Sequence, residues 1–157
     1  MYYPSGKKTT LIQNVSHQKI CKALIRGTNI DSNIVDTLCS SNPMCIITGA
    51  AKIVKSESVN ICKRGSGCPL QKKDYGDFFN FSWDHIHEYL QEHCPALLSI
   101  ITATVCDLTP SVSSKPFQHI ILTACIGLHG RSQEMSLVQY IVGFILKHGG
   151  CTERVIL

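Results

Sequence analysis

The stretch Phe117-Gln118-His119-Ile120-Ile121-Leu122-Thr123-Ala124-Cys125-Ile126-Gly127-Leu128 decides the fold. Phe117, Ile120, Ile121, Ala124 and Leu128 recur at the spacing of one helix face, and no alternating pattern competes with it. Working outward, Gly130-Arg131-Ser132 predicts a turn into a second helix over Met135–His148. Leu137, Val138, Ile141, Val142, Ile145 and Leu146 give that helix a wide apolar face, and Gly149-Gly150 stops it. Upstream, Ser82 is placed to cap a helix carrying Trp83, Ile86, Leu90 and Cys94, with Asp84 favourable near the positive end. Pro95 restarts the chain into Ala96–Val105, whose Leu97 joins the expected core, and Pro110 with Ser111–Ser114 makes a loop.

The front half reads the same way. A first amphipathic segment runs from about Thr10 to Arg26, with Leu11, Val15, Ile20 and Leu24 available for burial and Gly27 as its stop. Thr28 with Asp31 resembles a capping box before Ile30, Ile34, Val35 and Leu38. Asn42-Pro43 then opens a helix to about Cys62, along Ile46, Ile47, Ala50, Ala51, Val54 and Ile61. The expectation is an all-α, irregular multi-helix bundle of about seven to nine helices. Its core is drawn from Trp83, Ile86, Leu90, Leu97, Ile121, Leu137 and Ile141.

Residues 63–77 hold three Gly, a Pro and clustered charge, which break the periodicity. They suggest a linker between a basic N-terminal unit, 1–62, and a rear unit, 78–157. At 157 residues, 44% hydrophobic and 17% charged, the composition is that of an ordinary globular protein. Net charge divides unevenly. Residues 1–79 hold eleven Lys/Arg against five Asp/Glu (+6), and residues 80–157 four against six (−2). Lys63, Arg64, Lys72 and Lys73 flank the linker and are the candidate phosphate contacts of a sequence-independent nucleic-acid binder. No recognition helix or aromatic-interleaved basic stripe accompanies them.

Nine cysteines at irregular spacing, behind a first ten residues without an apolar stretch, predict reduced thiols in an intracellular protein, cytoplasmic or nuclear. Ala96–Val105 and Leu137–Leu146 are each about half a bilayer span, so they are expected as core helices and no membrane partner is expected. Cys62 and Cys68 are too far apart in sequence for a zinc knuckle, and His85 and His87 diverge on one helix. Cys45, near a helix start, and Cys68, in a basic loop, lack a catalytic signature. Asp84 and Glu88 read as a solvated face, and Gly65-Ser66-Gly67 lacks the lysine and helix of a phosphate loop. No metal, cofactor or enzymatic activity is expected. A helical partner segment is.

The rear half also carries a resemblance. Phe81-Ser82-Trp83-Asp84-His85-Ile86, Cys94-Pro95-Ala96-Leu97-Leu98-Ser99-Ile100-Ile101-Thr102, the helix 117–128 and the run from Met135 to Val155 succeed one another in a matching order. Together they resemble a family of transposon-associated proteins, multiplied in cnidarian, sponge and other invertebrate genomes, that carry a domain of unknown function. The resemblance covers about residues 50–157 and implies the helical N-terminal region of a longer protein. Trp83, Pro95, Leu137 and Gln139 are matched positions, implied to be structural. The expectation is a non-catalytic helical fragment, truncated at its C-terminus, since Val155-Ile156-Leu157 ends on apolar residues.

Overall fold

The computed structural model describes residues 12–27, 29–71, 74–108, 110–112 and 114–149. Within them the fold is all-α, with eight α-helices, one 3-10 turn and no strand. The helices are α1 (Val15–Arg26), α2 (Ile30–Ser41), α3 (Pro43–Ile61), α4 (Tyr75–Phe79), α5 (Trp83–His93), α6 (Pro95–Val105), α7 (Lys115–Arg131) and α8 (Leu137–His148). The 3-10 turn is Pro69–Gln71. None of these helices is long and apolar enough to cross a membrane. The chain divides into two compact units, Met1–Ala51 and Lys52–Leu157, with the division falling inside α3.

The first unit is built on the pairing of α1 with α2. Asn14 caps α1, its side-chain oxygen accepting from the backbone N–H of Ser16 at 2.9 Å and of His17 at 3.3 Å. Gly27 ends the helix at φ 68°, a left-handed conformation that a side chain would strain. The residue before α2 is Asn29, itself left-handed at φ 48°, and its side chain makes no cap bond. The expected capping residue Thr28, like Thr10 and Leu11, lies outside the described residues. Pro43 opens α3 as its position after Asn42 requires.

The apolar stripe expected on α1 is corrected. Val15 and Leu24 are exposed, and the residue buried is Ala23, with Ile20 and Cys21 half-covered. The physical reason is helix geometry: Val15 and Leu24 stand nine residues apart, on opposite sides of α1, so they cannot share the face that meets α2. Ile47 is likewise exposed.

The second unit has a true core. Ile61, Cys68, Leu70, Ile86, Leu90, Cys94, Phe117, Ile121, Ala124, Cys125, Leu128, Met135 and Val138 form one buried cluster, and α5, α6 and α7 pack pairwise around it. Leu137 and Ile141 are also buried, as expected. Trp83 and Leu97 are only half-buried and pack against the cluster from its edge. Trp83 sets its ring edge-on to Phe81, centroids 4.7 Å apart.

The linker reading of 63–77 is also corrected. Gly65 and Gly67 do turn the chain sharply, at φ 72° and 75°. After them the backbone runs inward: Cys68, Pro69 and Leu70 are buried, and the 3-10 turn packs against α5 and α8. Glycine marks a change of direction, and the apolar Cys-Pro-Leu between the charges fills the core after that turn.

One long-range tie fixes α3 to α6. Cys94 both ends α5 and precedes α6, and its side chain caps nothing. The carboxylate of Glu57 takes that role from another helix. Its two oxygens accept from the backbone N–H of Ala96 and of Leu97, each at 3.0 Å.

Candidate functional site

Of the basic residues singled out from the sequence, the two that are described are both engaged. Arg64 donates from Nε to Glu134 Oε1 at 2.7 Å, so its charge is paired although the side chain is exposed. Lys63 donates to Asn60 Oδ1 at 2.9 Å. Lys72 and Lys73 lie outside the described residues. Cations that share a face and have no ion pair among the described residues stand on α1, where Lys19, Lys22 and Arg26 form a stripe at helical spacing. That signal was present in the sequence, since three bases at intervals of three and four residues within one helix share a face.

Three of the described thiols, Cys68, Cys94 and Cys125, lie in the core, and Cys62 packs against it. Burial pushes Cys68 up to about 11, opposed by the Leu70 N–H and assisted by nearby Cys62. Burial first, then the Glu57 carboxylate and the neighbouring thiols, pushes Cys94 up to about 12. Burial with the Cys68 neighbour takes Cys125 to about 12, and Cys62 is raised by burial against the opposing charge of Arg131. Such thiols stay protonated near neutral pH and are poor nucleophiles and poor ligands. No three His, Cys, Asp or Glu side chains among the described residues stand where they could hold a metal ion. Native protein treated with iodoacetamide near neutral pH is therefore expected to label at Cys39 and Cys45, which are exposed. Cys68, Cys94 and Cys125 should stay unmodified by mass spectrometry until urea is added. Fast labelling of any of those three in the folded state contradicts this account.

A cleft of about 600 Å³ lies beside α5, α6 and α7. Leu98, Phe117 and Ile120 give it an apolar lining, and His87, Gln91 and Asp107 are among its polar groups. The ring of His87 is spent on packing, 5.0 Å from the ring of Phe117. Asp84 and Glu88 are both exposed on α5, and Cys45 is exposed near the start of α3.

The feature that stands out is apolar surface. In the first unit Ala23 is the single buried residue among those described. Against it, Ile25 is 85% exposed, Val15 66%, Met44 63% and Leu24 54%, with Val35 and Ile47 exposed as well. Isolated exposed apolar side chains are commonplace, whereas several on a helix pair with no core of its own mark a surface made to be covered. On α8, the face that buries Leu137, Val138 and Ile141 runs on into exposed Val142, Phe144 and Ile145 further along the helix, and Tyr140 is exposed beside it. Comparison of the chain with protein families, with curated proteins and with solved structures returns no match.

Proposed function

We propose that this chain is a non-catalytic helical interaction module, the front part of a mobile-element-derived protein, that engages another helical segment through its first unit. The observation that carries the reading is the exposed apolar side chains of α1 and α2, around the one residue of this unit that is buried among those described, Ala23. A unit of two short helices and the start of α3 gains little stability alone, and helices of this kind are held by packing against further helices. The buried, protonated thiols of the second unit accord with a role without chemistry. The mobile-element origin is supported by the succession of sequence stretches from Phe81 to Val155.

Crosslinking in extracts of cells that make the protein tests the reading. Lysine-reactive crosslinks to a partner segment should anchor at Lys19 and Lys22 and disappear in the Ile25→Asp variant. Crosslinks that ignore this substitution would refute it. A second reading, sequence-independent nucleic-acid binding, is favoured by the stripe Lys19, Lys22 and Arg26, which has no ion pair among the described residues. It requires retention on a DNA column that weakens steeply with salt. Passage through the column even at low salt favours the interaction module.

A further inference from the structure

We infer that the segment engaged by the first unit is the same unit of a second copy, α1 of one chain lying against α2 of the other about a two-fold axis. The inference rests on the interaction reading above and adds the identity of the partner. Its basis is how charge is divided between the two helices. α1 carries Lys19, Lys22 and Arg26 and no carboxylate; α2 carries Asp31 and Asp36 and no cation. Among the described residues none of these five groups is ion-paired. The paired helices of one copy therefore leave both signs unneutralised.

A second copy supplies all that is missing at once. Leu24 and Ile25 on α1 and Val35 on α2 are exposed, so each helix offers apolar area to a partner. Two such hairpins make a four-helix arrangement, in which apolar faces turn inward and charges remain at the edges. The two-fold arrangement is self-complementary, because whatever α1 meets on the partner, α2 meets in return. Placing α1 beside the partner's α1 would set three cations against three. Placing it beside α2 sets the cations against one carboxylate of that helix, since Asp31 and Asp36 are five residues apart and diverge around it, which still favours the second arrangement over the first. A purely acidic partner would suit α1 and repel α2, and a purely basic one the reverse.

Light scattering or sedimentation of the full chain under reducing conditions, over a wide range of concentration, is the test. The expected result is a concentration-dependent monomer–dimer equilibrium that weakens with added salt. A Lys19→Asp/Lys22→Asp/Arg26→Asp variant and an Asp31→Lys/Asp36→Lys variant should each dimerise at least about tenfold more weakly. Mixed together, the two should form a heterodimer, since the exchanged charges again face opposite signs. A wild-type chain that stays monomeric at every concentration overturns the inference, with no variant needed. Dimers indifferent to both charge exchanges overturn it too. If the chain is monomeric while Ile25→Asp still abolishes the crosslinks at Lys19 and Lys22, the interaction module stands and only the second copy falls. If neither effect is seen, both readings fall together.

Discussion

Leu90→Ala is expected to destabilise the second unit by about 3 kcal/mol, the range for deleting a fully buried leucine from a close-packed core. Leu90 is 1% exposed and lies in the cluster with Ile86, Ile121 and Leu128, so the lost methyls leave a void that rigid helical neighbours close only in part. In a unit of this size the loss corresponds to a fall in melting temperature of roughly 12–24 °C. Urea denaturation should show the midpoint move with an unchanged slope. Ile126→Ala makes the control, because that isoleucine is 56% exposed in the same unit and its truncation should stay within about 0.5 kcal/mol. Equal effects for the two variants would mean that Leu90 is not in a core.

The second large effect is expected at Glu57. Replacing it by alanine strips acceptors from the backbone N–H groups of Ala96 and Leu97, and no side chain at Cys94 takes their place. The cost combines the loss of a helix cap with the loss of two charge-assisted hydrogen bonds, about 2–3 kcal/mol. Glu57→Gln keeps the shape but turns an N–H group toward one of the amides, so it should recover only part of the loss. Hydrogen exchange at Ala96–Ser99 should accelerate in both variants, more in the alanine one. Unchanged exchange there would show that the amides are satisfied without Glu57.

The two substitutions also measure how much of the molecule was legible in the sequence. Leu90, Ile86, Ile121, Leu137 and Ile141 announce themselves as core because a helix repeats every 3.6 residues, and periodicity is a local property. The all-α class comes from the same repeat. Glu57 was invisible for the opposite reason. Pro95 at a helix start preceded by cysteine shows that a cap is wanting, yet which acceptor fills it depends on a residue nearly forty positions away. The segment 63–71 misled because its glycines advertise turning and conceal that Cys68 and Leu70 point inward afterwards. Val15 and Leu24 misled in another way. Apolar character says that a side chain is suited to burial, and it does not say that anything covers it.

The candidate site was legible to a lesser degree. The charge asymmetry of the front half could be read directly, but the sequence pointed to Lys63 and Arg64, which are engaged with Asn60 and Glu134. The stripe Lys19, Lys22 and Arg26 was equally visible and gains weight only once its lack of ion pairs is known.

Cys94 is the only residue between α5 and α6, closing one helix and opening the next at φ −138° and ψ 50°. With no slack between them, the two helices share a common phase. A single residue inserted between His93 and Pro95 would swing every later side chain of α6 by about 100° around its axis. Leu98 would leave the interior, and the amides of Ala96 and Leu97 would rotate away from Glu57. Length variation among descendants of this chain should therefore be tolerated between α6 and α7, while the junction at Cys94 keeps its residue count unchanged.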